Sequence, residues 1–448
     1  MKKLSALFLF LALFISAFGQ DTQPVYQGQP PAREVDTTSR PIEKQRKGVF
    51  PFEADGVYFS NDFDGARLNK IERTGENKYT ITITPENAPV NMSPWYAFQV
   101  WSKRKKEISV KLVYPDFAKH RYSPLISKDG RKWKPLDAKN ITEYEKGTAA
   151  FGPESRPKSV ELKLKTNKKP LWISAQELQN SKIVFEWMDR LARKKNLTIE
   201  EIGKSTEGRP LRMLTIGNPS AKKMMLVISR QHPPEVTGYF AMQAFVEKIA
   251  GKSKLAKHFR KDWAIFVIPL MNPDGVDGGH WRHNTGGIDL NRDWAAFNQP
   301  ETQAVREFLK RKEQETGGKF YFGIDFHSTW DDIYYPMDKE FDDTNAPNLM
   351  WDWLDNIKKA IPNYEPNIQP NKRPEPTIVS RNYFYKAHRM EAIVFEIGDN
   401  TSRDFIRKKG EVGAVELMKL LLKKDSSDKL MFNSKAFRQF QSAHAARF

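Results

Sequence analysis

The stretch Met224-Met225-Leu226-Val227-Ile228-Ser229-Arg230-Gln231-His232-Pro233-Pro234-Glu235 decides the fold class. A short, mostly apolar run reads as a buried strand, and it passes through a polar turn into a helical stretch from Val236 to Ala250. The same alternation recurs downstream. Strands at Trp263 to Leu270, Phe320 to Phe326 and Ala392 to Phe395 alternate with helical stretches at Glu301 to Gln314, Pro347 to Ile361 and Phe405 to Leu422. This pattern predicts an α/β domain, a mixed sheet covered by helices on both faces, whose ligand site lies at the carboxyl ends of the strands.

Upstream the period changes. From Phe50 to about Thr166, segments such as Lys78-Tyr79-Thr80-Ile81-Thr82 and Glu107-Ile108-Ser109-Val110-Lys111-Leu112 alternate with period two between Gly, Pro, Asn and Asp clusters, which predicts an antiparallel β-sandwich. At the amino end, Lys2 and Lys3 precede an apolar run from Leu4 to Ile15 closed by Ser16-Ala17-Phe18-Gly19. That is the pattern of a cleaved signal peptide, too short for a membrane helix, and it predicts a secreted or periplasmic protein without stable membrane insertion. The expected organisation is a signal peptide over 1–19, a flexible linker or surface arm over 20–48, a sandwich over 49–170, the α/β domain over 171–424 and a tail over 425–448.

Composition narrows the partners. The absence of cysteine excludes a disulfide framework and lipid attachment at a thiol. A formal net charge of +18 invites a nucleic-acid reading, but there is no basic helix, zinc-finger spacing or aromatic RNA-binding motif, so no nucleic-acid partner is expected. A field that attracts acidic substrates or anionic polymers fits better.

His232 and Glu235 can turn an imidazole and a carboxylate onto one ion, although His-x-x-Glu alone also describes a surface His beside a Glu favoured by a helix dipole. The strand ending at Phe326 supplies a second imidazole, His327. Two His and one Glu leave a fourth position open, which is the donor set of a catalytic zinc. Between them lies Asn272-Pro273-Asp274-Gly275, then Arg282 and Asp289-Leu290-Asn291-Arg292, where amide and guanidinium donors can fork onto a carboxylate. His258, His280, His283 and His388 read as loop or helix-surface residues without a metal role.

His-x-x-Glu, Asn-Pro-Asp-Gly, Asp-Leu-Asn-Arg, a strand-end His and a Glu after a short β run, in that order, resemble the zinc carboxypeptidase family over roughly Gln176 to Leu422. The sandwich, above all Asn91-Met92-Ser93-Pro94-Trp95-Tyr96-Ala97-Phe98, resembles the amino-terminal domain of the cytosolic carboxypeptidase branch, the polyglutamate-trimming enzymes. Pro234 stands where that branch more often has Gly, and the leader departs from its compartment. The resemblance implies one zinc per chain on His232, Glu235 and His327, with Glu396 as general base and Arg282 stabilising the oxyanion. It further implies that Asn291 and Arg292 hold the substrate's terminal carboxylate and that Asp289 accepts from the outer nitrogen of His232. The partner is then a peptide or peptide-like substrate with a free C-terminal carboxylate. Arg381, Tyr383 and Tyr385, shortly before Glu396, are the candidates for the side-chain pocket, and Arg381 would favour acidic ends. Two other readings share these residues: an amidohydrolase acting on N-acyl amino acids, and a catalytically inactive binding module.

Overall fold

The computed structural model describes residues 33–147 and 156–431; the expected signal peptide, the first part of the expected linker and residues 432–448 lie outside them. The sandwich contains β1 (Val49–Phe52), β2 (Val57–Ser60), β3 (Lys70–Gly75), β4 (Lys78–Thr82), β5 (Ala97–Ser102) and β6 (Lys106–Val113). It continues through β7 (Leu125–Ser127), β8 (Trp133–Pro135), β9 (Ile141–Gly147), β10 (Arg156–Thr166) and β11 (Leu171–Ser174). One sheet has the order β1-β2-β5-β11-β7-β8 and the other β3-β4-β6-β10-β9. Alternation sets the inner face: Ile108, Val110 and Leu112 of β6 meet Val160, Leu162 and Leu164 of β10 in one core. The sandwich is not antiparallel throughout, because β4 and β6 pair in parallel. Between them the chain crosses to the other sheet through β5, and so re-enters in the same direction. The sandwich also reaches past residue 170, since β11 pairs with β5 and β7.

The second domain holds β12 (Leu197–Lys204), β13 (Pro210–Gly217), β14 (Lys223–Ser229), β15 (Trp263–Ile268), β16 (Lys319–Thr329), β17 (Ile333–Pro336) and β18 (Glu391–Gly398). Its helices are α1 (Ser181–Ala192), α2 (Val236–Ile249), α3 (Lys254–Asp262), α4 (Pro273–Gly278), α5 (Pro300–Thr316), α6 (Leu349–Ala360), α7 (Ser380–His388) and α8 (Arg403–Met431). The sheet order is β12-β13-β15-β14-β16-β18-β17. β14 pairs in parallel with β15 and β16, and β16 with β18, while the other pairs are antiparallel. Met225 and Val227 of β14 face a core built with α1, α2, α6 and α8, whereas Met224, Leu226 and Ile228 face α5 and α7. That two-sided burial explains the near-continuous apolar reading of the strand. Chain leaving β14 returns to β15 on one side and chain leaving β16 goes to β17 and β18 on the other, so a crevice opens between the carboxyl ends of β14 and β16.

The described part of the expected linker, 33–48, lies as an arm across both domains: Arg40 N donates to Gly286 O (2.7 Å), Glu43 N to Glu86 O (2.6 Å) and Gln299 Nε2 to Thr37 O (2.7 Å). At the other end α8 runs to Met431, past the expected start of the tail. Among the described residues no helix is long and apolar enough to cross a membrane.

Candidate active site

β14 ends at Ser229, and Arg230 takes a left-handed φ of +57°, which turns the chain into the His232 to Glu235 segment. Arg230 is buried and Nη2 donates to Pro233 O (2.7 Å), holding the turn from inside. Asn272, of the Asn-Pro-Asp-Gly motif, caps α4 through Gly275 N (2.9 Å) and also donates to Gln231 O (3.1 Å). Glu235 is the N-cap of α2 but makes no capping bond with its side chain. Ser328 Oγ takes over that task, accepting from Gly238 N and Thr237 Oγ1, both at 2.8 Å. The Glu235 carboxylate is thereby left to face inward. α2 comes so close to β16 that a Cβ on Gly238 would lie 2.2 Å from His327 O, which only glycine permits.

His232, Glu235 and His327 are buried and offer donor atoms within 4.8 Å of one another. Glu235 Oε1 lies 2.8 Å from His232 Nδ1, Oε2 lies 2.7 Å from His327 Nδ1, and the two Nδ1 atoms are 3.1 Å apart. Each ring is fixed from outside by a carboxylate: His232 Nε2 by Asp289 Oδ1 and His327 Nε2 by Asp325 Oδ2, both at 2.8 Å. With Nε2–H donating outward, both Nδ1 lone pairs converge on the Glu235 carboxylate, an arrangement that fits a divalent cation. The carboxylates around the two rings draw positive charge to this corner, whether it arrives as a proton or as a metal ion that displaces it. Burial disfavours a charged His327, yet Asp325 and Glu235 hold its pKa well above the ordinary value. Burial works against ionised Glu235 too, but the two imidazoles hold it well below the carboxylate range.

His327 and Glu396 lie within β16 and β18 rather than just beyond strands, and they are register partners. Glu396 Oε2 is shielded and has no hydrogen-bond partner in the structure. Burial and the Glu235 carboxylate push its pKa up to about 8, against the pull of His327, Arg282 and Arg121. Asp289 is the hub of the facing wall: besides His232 it accepts from Asn291 N (2.8 Å) and Arg282 Nε (2.7 Å), with Arg292 Nη1 at 3.8 Å. Asn291 Oδ1 accepts from Ser380 N (2.9 Å), tying this wall to α7.

Asn291, Arg292, Arg381 and Glu396 line one cavity of about 460 Å³, together with Tyr335, Lys372 and Arg373. A larger one of about 610 Å³, lined by Lys47, Arg67, Asp277 and His280, lies under the arm and contains none of the metal set. Tyr383 and Tyr385 are not brought to the site. Tyr383 packs against Trp294 and Phe297, with its hydroxyl 3.3 Å from His388 Nε2, and Tyr385 donates to Asp343. The helix explains both: two positions beyond Arg381 is the opposite face, and four is one turn farther along the axis. His280, His283 and His388 are buried rather than on a surface, bonded to His283 O, Asn87 Oδ1 and Glu313 Oε2 respectively.

Sequence reasoning misses Asp325, Arg121 and Glu86. Asp325 has a signal, a carboxylate inside the apolar run Phe320 to Phe326, where a charge needs a partner. Arg121 and Glu86 come from the sandwich. Arg121 Nε donates to Asp399 Oδ2 (2.7 Å) just past β18, and its guanidinium lies 4.6 Å from the Trp330 ring centroid.

Comparison with known proteins agrees with this architecture. The family described as "Zinc carboxypeptidase" matches residues 184–412, and that described as "Cytosolic carboxypeptidase N-terminal domain" matches 59–163. Cytosolic carboxypeptidase 6 of Mus musculus is 25% identical over 295 residues, covering 60% of this chain and 53% of the relative. The Homo sapiens protein of that name is 24% identical over 297 residues, covering 61% and 58%. This chain thus spans little more than half the length of these relatives. Among solved structures, a metallo-carboxypeptidase from Burkholderia cenocepacia superposes with a TM-score of 0.66 at 17% identity, over 83% of this chain and 99% of that one. One from Pseudomonas aeruginosa gives 0.63 at 18%, over 81% and 98%, and both likenesses concern the fold.

Proposed function

Because the chain belongs to the zinc carboxypeptidase family, we propose that it hydrolyses the last peptide or isopeptide bond of a substrate with a free C-terminal carboxylate. The observation that carries this reading is the meeting, at one crevice, of the His232, Glu235 and His327 set with Glu396 across paired strands and a cavity lined by Asn291, Arg292 and Arg381. His232, Glu235 and His327 would hold a zinc ion, whose Lewis acidity would let a water give up its proton near neutral pH. Glu396, whose raised pKa the positive charge of such an ion would bring down, would then take that proton as a carboxylate and return it to the leaving amine. Arg282, aimed by Asp289, steadies the negative charge that develops on the scissile carbonyl oxygen. Asn291 and Arg292 hold the terminal carboxylate, so an internal bond, which has no such charge, is not positioned. Arg381, with Lys372 and Arg373 near it, favours an acidic final side chain.

The test uses zinc-reconstituted protein and a pair of peptides, one with a free C-terminal carboxylate and one amidated. Release of the final residue from the free acid alone is expected; equal cleavage of both would overturn the exopeptidase reading. We also propose export, on the strength of Lys2, Lys3 and the run from Leu4 to Ile15, although the curated relatives are named cytosolic. Mass spectrometry of the mature amino terminus is expected to find it at Gln20, and an intact leader on cytoplasmic protein would refute it.

A further inference from the structure

Residues 281–283 follow the left-handed Gly279 and belong to no helix or strand, so their backbone N–H groups need partners from elsewhere. One carboxylate serves all three. Glu86, fully buried in the sandwich after β4, accepts from Trp281 N (2.7 Å) at Oε2 and from Arg282 N (3.0 Å) and His283 N (2.7 Å) at Oε1. Burial would raise its pKa, but the charges of His280, Arg67 and His283 and the donated N–H hold it down to about 2, so it stays an acceptor. The neighbouring Asn87 reinforces the contact through His283 Nδ1 (2.6 Å) and Gly287 O (3.1 Å). Trp281 itself is fully buried in the sandwich core, although its sequence belongs to the other domain. Arg282 is therefore gripped at its backbone by the sandwich and at its side chain by Asp289, the residue that also orients His232.

We infer that Glu86 is a positioning residue for Arg282, which makes the β-sandwich a structural part of the active site rather than an appended binding module. The inference rests on the role proposed above for Arg282. A displacement of about 1 Å at a group that steadies developing charge costs on the order of a hundredfold in rate. Three backbone donors converging on one buried carboxylate leave the loop no comparable alternative, because water does not reach the position.

The experiment is a double-mutant cycle in the full-length zinc-loaded protein, with kcat and KM on a free-acid peptide, bound zinc, and amide hydrogen exchange measured for each variant. Glu86→Ala is expected to lower kcat by roughly 10- to 100-fold with KM within about threefold and zinc unchanged. In an Arg282→Ala background the same change is expected to cost less than about twofold, because a residue that acts only through Arg282 has nothing left to act on. Exchange at the Trp281, Arg282 and His283 amides should quicken while that at Ile324 in β16 stays slow. Glu86→Gln, which keeps one carbonyl oxygen for Arg282 and His283, should recover part of kcat, and it decides the cycle if the alanine variant does not fold. A kcat within twofold of the parent in Glu86→Ala, or an equal loss with and without Arg282, overturns the inference alone. A parent-like kcat in Arg282→Ala by itself overturns the role of Arg282, and the inference with it.

Discussion

The metal corner and the side-chain pocket share one crevice but are built from opposite charges. Around His232 and His327 stand Glu235, Asp289 and Asp325, and each outer carboxylate is itself held, Asp289 by Arg282 and Asn291 N, Asp325 by Gln231 and Ser380. Around Arg381 stand Lys372 and Arg373, and among the described residues none of the three makes an ion pair. Arg381 donates from Nη1 to the Tyr335 carbonyl (3.0 Å) and from Nε to Asn382 Oδ1 (3.4 Å), both neutral acceptors, and burial lowers its pKa to about 10. A negative corner with its geometry locked by the protein suits a cation that stays. A pocket lined by Arg292, Lys372, Arg373 and Arg381 against the two carboxylates of Glu375 and Glu396, with Arg381 in no ion pair, suits an anion that comes and goes.

The hardest blow to this contrast falls between the two regions, at Glu396. Glu396→Gln should lower kcat by roughly a hundredfold to ten-thousandfold while bound zinc remains near one equivalent, because the side chain serves proton transfer and not ligation. Near-parent turnover, or lost zinc, would dissolve the division of labour. At the metal corner, Asp325→Asn should weaken zinc affinity by about 10- to 100-fold, the usual scale for a residue that orients a ligand imidazole, and leave the ranking of C-terminal residues unchanged. Competition with a chelator reads the first and a peptide panel the second.

At the carboxylate clamp, Arg292→Ala should reduce kcat/KM on free-acid peptides by about 2 kcal/mol, roughly 30-fold, without moving zinc affinity. An equal effect on zinc would mean that Arg292 belongs to the metal corner through Asp289. The smallest change is expected at Arg381→Ala, where a lost charged hydrogen bond of about 1.5 kcal/mol should narrow a preference for Glu over Phe by about tenfold. A parent that releases Phe or Lys faster than Glu, or a variant with unchanged preference, removes Arg381 as selector.

The two regions also differ in how far they can be read in advance. His232, Glu235, His327 and Glu396 stand at or near the ends of apolar runs, where an α/β sheet places its ligands, and Asp289 shares its short motif with Asn291. The pocket offers no such anchor. Arg381, Tyr383 and Tyr385 look alike as candidates in the sequence, and only the helix over Ser380–His388 puts Arg381 at the cavity, turns Tyr383 to the opposite face and carries Tyr385 one turn farther along. The parallel pairing of β4 with β6 was hidden for a related reason, since alternation reports which face is buried but not the direction in which a strand is re-entered.

The two-domain order, the α/β class and the donor set of His232, Glu235 and His327 are legible in the sequence, because periodicity and strand-end chemistry are local and are written within a few residues, whereas the roles proposed for Glu396 and Arg282 come from the family resemblance. What joins Glu86 to the backbone of Arg282, Arg121 to Asp399 and Asp325 to the outer nitrogen of His327 was decided by tertiary structure alone. The first two contacts span 196 and 278 positions along the chain. The third, although only two positions apart, depends on which faces of β16 the sheet buries. Buried charges must find partners wherever packing brings them, and packing is a property of the whole fold.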